Sequence, residues 1–366
     1  MVQNVSLASS TQNWVLGRLT LDRSNARLWL ASPTDGVLQI AVNADGTTGS
    51  AVAVASMQGC NAVVVSPQFA MCGNAAPFSA VGAMDGVKVY SSSVNQLVRP
   101  LSTGNVAVAD GAYDASTSSI IFALADGTMM RIRGDTGQQT GGFTQVVTKP
   151  SCASATSASV PCYPLLSPAP NGAGLLFVNA AMQGAVLKLN ASTLATAGQS
   201  LSTAQFGCTV PVGLAVDPVM ARLFVGCADA GAPQLLVLNS NDGILIASVP
   251  IGVGNQGVRW HAGKGLIYAW SAASASVAVI KQSINSVTNS DTYFLLEAAF
   301  TAPGARALAV DDCNPASCTT SGTLYTVAPA ARFDPHMPPV ADSVGLFAAN
   351  AVTAGASQLL TMKPGH

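Results

Sequence analysis

The residues best equipped for chemistry in this chain are its cysteines. There are eight, and they fall into four sequence-local couples, Cys60 with Cys72, Cys152 with Cys162, Cys208 with Cys227, and Cys313 with Cys318. An even count at short spacings points to disulfides and so to an oxidising compartment. The alternative is a set of buried thiols serving as small apolar side chains. No couple has the Cys-x-x-Cys spacing, and with only three histidines in the chain a tetrahedral zinc site cannot be assembled locally.

A second group worth weighing is Asp334, His336 and Met337, in the run Asp334-Pro335-His336-Met337-Pro338-Pro339. A carboxylate, an imidazole and a thioether together suit a soft metal such as copper; the plainer reading is a loop stiffened by its prolines. His261, beside Trp260, could act as a general base, but alignment of its segment on the repeat described below puts it at a hairpin corner. His366 is the terminal residue. Glu297 is the sole glutamate, in the run Tyr293 to Phe300 that reads as an outer strand, whereas a calcium-dependent lactonase needs several oxygens converging on one point. Asn43-Ala44-Asp45-Gly46-Thr47 starts like a calcium loop but lacks the downstream Glu, and reads as a hairpin. Nucleophile elbow, phosphate-binding loop, dinucleotide fingerprint and haem-attachment motifs are all absent, so no cofactor and no catalytic residue is expected. Two glycosylation sequons begin at Asn4 and Asn190, a number that chance alone supplies in a chain rich in Ser and Thr.

The background to these residues is unusual. Of 366 residues, 49% are apolar and 9% charged, with 16 Lys+Arg against 17 Asp+Glu and a net charge of -1. Near-zero charge leaves no basic footprint for nucleic acid. No run reaches the roughly 18 apolar residues of a spanning helix, so no membrane span is expected. The opening Met1-Val2-Gln3-Asn4-Val5-Ser6 has neither the charged nor the apolar region of a signal peptide. Export would therefore require a signal already removed.

The elements that must position these residues follow from an internal repeat. From Pro211 to Gly252 the chain parses as four short β-rich runs, Leu214 to Val216, Arg222 to Val225, Gln234 to Leu238 and Ile244 to Val249. Asp217-Pro218 and Asn241-Asp242-Gly243 form two of the corners, through side-chain hydrogen bonding, a fixed φ and a positive φ. This is a four-stranded antiparallel meander. Similar units recur over approximately 16–57, 59–103, 106–148, 162–203, 211–252, 255–301 and 304–362, the last running through SVGLFAAN. Repeats of this length with four strands each predict an all-β, seven-bladed β-propeller, a single domain around a central channel. Residues 1–14 or Gln358 to Met362 would supply the strand that closes the ring.

The unit resembles the YVTN-type propeller repeat: an inner strand, an Asp-Pro-like turn, then a Leu-Phe/Tyr-Val strand. The matching residues are VDPVMARLFV in the fifth unit, LDRSNARLWL in the first and GKGLIYAW in the sixth, and the Gly-His and Trp-Asp signature of WD repeats is absent. The resemblance implies architecture and leaves the activity open, since such propellers host binding proteins, lactonases, lyases and redox enzymes. The reading favoured here is a disulfide-stabilised, exported module (extracellular, periplasmic or at the cell surface), non-enzymatic, that binds another protein, an envelope polymer or copies of itself. Weak self-repulsion at near-zero net charge is its motive. Two alternatives stand beside it: a lyase or lactonase at the mouth of the channel, and a periplasmic metal or redox partner using His336 and Met337.

Overall fold

The computed structural model describes residues 3–6, 18–32, 36–54, 56–57, 59–74, 86–94, 96–104, 106–147, 167–229, 231–285, 290–301, 307–313, 321–328, 340–341, 347–348 and 358–362. Seven four-stranded antiparallel sheets follow one another along the chain. Their innermost strands touch in sequence and close a ring: Leu19–Asp22, Cys60–Val65, Val108–Asp114, Pro168–Pro170, Pro211–Asp217, Asn255–His261 and Ala307–Val310. The fold is the expected seven-bladed propeller. Two prolines fit in the inner strand of blade four because that strand is a sheet edge, where a missing N–H interrupts no ladder.

What holds the ring is packing between blades. Seven apolar clusters are present, one at each blade interface. Alternation along each strand explains how one blade serves two of them. In Arg27–Ser32, Leu28 and Leu30 face blade seven, while Trp29 and Ala31 face blade two. In Arg222–Cys227, Leu223 and Val225 face blade four, and Phe224 faces blade six. A lone blade would leave both faces wet, so each sheet is stable only between neighbours.

Ring closure uses both ends of the chain. Gln358–Met362 pairs with Leu324–Ala328 as the third strand of blade seven, and Gln3–Ser6 pairs with Gln358–Met362 as the fourth and outermost. The C-terminal run is therefore not an outer strand. The SVGLFAAN segment also departs from the sequence reading: Phe347–Ala348 pairs with Val340–Ala341 in a separate two-stranded ladder and not in blade seven. The third-strand slot is already filled by Gln358–Met362, paired with Leu324–Ala328 at five positions.

In every blade the corner between the first and second strands is closed by a side chain that accepts a backbone N–H from its own turn. The acceptors are Asp22, Ser66, Asp114, Asn171, Asp217, His261 and Asp311. This is the side-chain-to-backbone turn bond that Asp, Asn and Ser favour. His261 performs it with Nδ1, taking the N–H of Lys264 at 3.3 Å. Its other nitrogen then carries the proton and donates to Ser321 Oγ at 2.9 Å. Burial lowers the His261 pKa and keeps the ring neutral. The residue is fully buried at a hairpin corner, the position its alignment on the repeat predicts.

Candidate functional site

Two places combine exposed chemistry with a fixed frame: the axial channel and the outer edge of blade six.

Small residues let the inner strands of neighbouring blades approach closely: a Cβ at Gly213 would strike the Gly257 backbone. Four residues before the corner stand Ala62, Gly213, Gly257 and Ala307 in blades two, five, six and seven. At the same register, blades one, three and four carry Arg18, Asp110 and Ser167. These three meet: Arg18 Nη2 reaches Asp110 Oδ2 at 2.7 Å, and Ser167 Oγ donates to the same oxygen at 2.6 Å. Three blades are thereby tied by one carboxylate. Nearer the corner rim, Arg23 of blade one pairs with Asp311 and with Asp312, the latter at 2.7 Å, across the ring-closing interface with blade seven.

Between these groups lies Arg259, two residues before the blade-six corner. Thr20 holds that register in blade one, and the other five blades hold Val64, Ala112, Ala169, Ala215 and Ala309. The Arg259 guanidinium lies over the Trp270 ring, 5.6 Å from its centroid, a cation–π arrangement. It donates to the Val258 carbonyl at 3.4 Å, the long limit for such a bond. Desolvation in the channel lowers its pKa, Arg18 adds to that effect, and Asp110 and Asp312 oppose it. Two cavities share the walls of Arg259, Trp260 and Thr20: one of about 310 Å³ reaching Asp110, Tyr113 and Ser167, the other of about 200 Å³ reaching Arg23 and Asp312.

The blade-six edge is different in kind. Its third and fourth strands, Ser276–Asn285 and Ser290–Phe300, make the longest hairpin among the described residues, with an outer strand of 11 residues. Toward blade five this outer strand is anchored by Asp291, which takes two bonds from Arg222 at 2.8 and 2.9 Å, one from Gln282 and one from the Tyr293 hydroxyl. Burial disfavours the Asp291 anion, but those hydrogen bonds, led by Arg222, outweigh it and hold the pKa at about 2. Apolar side chains are wet on both faces of the hairpin: Ile284 (51% exposed), Leu295 (44%) and Phe300 (82%) on the face that carries Asp291, and Phe294 (46%) on the opposite face.

The residues singled out from the sequence are distributed as follows. Cys60 is bonded to Cys72 and Cys208 to Cys227, each with Cα atoms 5.5 Å apart, within the first hairpins of blades two and five. Cys313 is also disulfide-bonded. Cys152, Cys162 and Cys318 lie outside the described residues, as do Asp334, His336, Met337 and His366. Cys208, Cys227 and Asp229 cluster closely enough to suggest metal ligands, but the thiols form the disulfide and Asp229 accepts from the Thr209 and Val210 backbone. Asn190 ends the strand Ala185–Asn190, with Oδ1 held by Ser192 and Thr193. Asn4 falls in the outermost strand of blade seven. Glu297 is on the outer strand of blade six, away from the channel. Asn43 to Thr47 form a hairpin turn, with Asp45 Oδ1 accepting the Thr47 N–H at 2.9 Å.

Arg18, Asp110, Ser167 and Arg259 escaped the sequence reading. The signal was available: alignment of the seven units on their corner residues leaves these four as the charged or hydroxyl outliers, with Thr20, in columns otherwise filled by Gly, Ala and Val.

No family model matches the chain, and no curated protein matches it. Solved structures do. One chain in the crystal structure of the mitotic checkpoint complex has a TM-score of 0.63 at 14% identity, covering 89% of this chain and 87% of that one. The RRP9 WD40 repeats give 0.65 at 8% identity over 99% of both chains, and U3-55K gives 0.62 at 8% over 98% of both. At such identities the likeness shows the propeller fold alone. Among the described residues no helix is long and apolar enough to cross a membrane.

Proposed function

We propose that this chain is a non-enzymatic binding and assembly module whose partner is a protein, in the first instance a second copy of itself, docked along the outer edge of blade six. The observation that carries this reading is the strand Ser290–Phe300. It is the outermost strand of its sheet and leaves a row of backbone groups open to another strand, the arrangement on which strand addition works. Along it apolar side chains are exposed on both faces, Phe294 on one and Leu295 and Phe300 on the other. A net charge of -1 on the whole chain offers little repulsion between copies. The YVTN-type repeat remains our reading of the family, resting on the turn and strand residues quoted above. Export to an oxidising compartment, with the disulfides stabilising the blades, is likewise our reading of the paired cysteines. An enzymatic channel is less well supported: the described channel residues combine Arg, Asp, Ser and Thr, while His261 and Glu297 sit outside it.

The test is light scattering coupled to size exclusion, across a concentration series and without reductant. The wild type is expected to form a defined dimer or oligomer, and Phe294→Ser with Phe300→Ser to return it to monomer. A wild-type monomer at every concentration overturns the reading.

A further inference from the structure

Of the three guanidinium groups along the channel, Arg18 is matched by Asp110 and Arg23 by Asp311 and Asp312. Arg259 has no carboxylate within ion-pair distance among the described residues, and its hydrogen bond is a 3.4 Å contact to the Val258 carbonyl of its own strand. A guanidinium presents five N–H donors in a flat fork, and the group that satisfies a fork is a carboxylate with two parallel oxygens. Its place is also irregular. The ring requires only small side chains at that register, as Ala112, Ala169, Ala215 and Ala309 show. Packing does not explain an arginine there.

The surroundings are those of a ligand site. Arg259 forms part of the wall of both channel cavities, about 310 and 200 Å³, each partly open to solvent. Trp270 fixes one face of the guanidinium plane. The neighbouring Trp260 lines both cavities; its indole packs on Phe224 of blade five, and its buried N–H has no acceptor among the described residues. Val64, Ala112 and Ala215 give the larger cavity an apolar side, and Tyr113 and Thr20 bring hydroxyls. Pockets for small molecules combine apolar walls with a few fixed polar groups in this way.

We infer that the axial channel binds a small organic carboxylate, its two oxygens held by the Arg259 fork and its body lying against the Val64, Ala112 and Ala215 side. The inference is independent of the blade-six edge, and the doubly substituted Phe294→Ser, Phe300→Ser chain should bind as the wild type does. Calorimetric titration of the full chain with acetate, lactate and malonate, against sodium chloride at matched ionic strength, tests it. At least one carboxylate is expected to bind saturably. Arg259→Lys, which keeps the charge and loses the fork, should weaken that binding about tenfold or more, and Arg259→Met should abolish it while thermal unfolding without ligand shows both variants folded. If Arg259→Met does not fold, the lysine variant carries the test. Absence of saturable binding for all three acids, heats reproduced by chloride, or equal affinity in wild type and Arg259→Lys overturns the assignment.

Discussion

The axial channel and the outer edge of blade six invert the usual distribution of polarity. Charges gather on the inside, where Arg18, Asp110, Arg23 and Asp311 tie together blades that are distant in sequence, while large apolar side chains stand in solvent on Ser290–Phe300. The contrast shows where each kind of interaction is efficient. Inside, hydrogen-bonded ion pairs join blades and hold geometry. Outside, an apolar flank gains nothing from this chain and would gain by being covered. Stability should therefore respond to changes along the axis and between blades, and association to changes at the edge.

The largest effect should come from the glycine that makes room for the Trp270 ring within blade six. A Cβ at Gly257 would run into the ring of Trp270, and one at Gly213 would strike the Gly257 backbone. Trp270 is fully enclosed and has nowhere to go. Gly257→Val should cost about 3 kcal/mol or more through overpacking, seen as a drop in thermal midpoint or as failure to fold. A midpoint close to wild type would mean that the inner ring is looser than described.

Next in size is the anchor of the blade-six hairpin. Asp291→Ala removes the carboxylate that Arg222, Gln282 and Tyr293 address, leaving a half-buried guanidinium unpaired, at about 3 kcal/mol in denaturant unfolding. The same carboxylate predicts a pH dependence. Its folded pKa, about 2, lies below the 3.8 of a free Asp, so the unfolded chain takes up the proton first as acid is added. The contribution is complete above about pH 5 and is lost as the pH falls from there toward 2. Unfolding curves should show that slope in the wild type and a smaller one in Asp291→Ala; equal slopes would detach Asp291 from the anchor.

A smaller loss is expected at the far end of the channel. Arg18→Met breaks the pair with Asp110 but leaves Ser167 donating to it, and a quarter of the Arg18 side chain is exposed. About 1 kcal/mol is the size to expect for a partly exposed pair. Denaturant midpoints measured at low and high salt would separate the charge from the packing, because salt screens the first and not the second.

The legibility of these regions from sequence differs for physical reasons. Blade number, strand count and hairpin corners are local: Asp217-Pro218 closes a turn with its own neighbours, and Leu223-Phe224-Val225 alternates between two interfaces within three residues. The channel is not local. Arg18 and Asp110 are 92 positions apart and Ser167 lies 57 further on, and nothing in either neighbourhood announces the meeting. Ring closure is less local still, since Gln3–Ser6 finds its partner at Gln358–Met362, the other end of the chain. The run Tyr293 to Phe300 reads correctly as an outer strand, but its extra length and the Asp291 anchor emerge only when Arg222 of the preceding blade is placed against it.

The smallest effect on stability and the largest on association should coincide in one variant. Phe294 and Phe300 are exposed, so replacing both with Ser removes little that folding had buried, and the unfolding free energy should move by no more than about 0.5 kcal/mol. If the edge is where two copies meet, the same change removes two aromatic anchors from each side of a symmetric interface, and each counts twice. A tenfold or greater weakening of dimerisation, read from the concentration dependence of light scattering, is then expected with the thermal midpoint of the monomer unchanged. Loss of stability without loss of association would place these side chains in the fold and not in an interface, and the contrast between channel and edge would fail at its outer half.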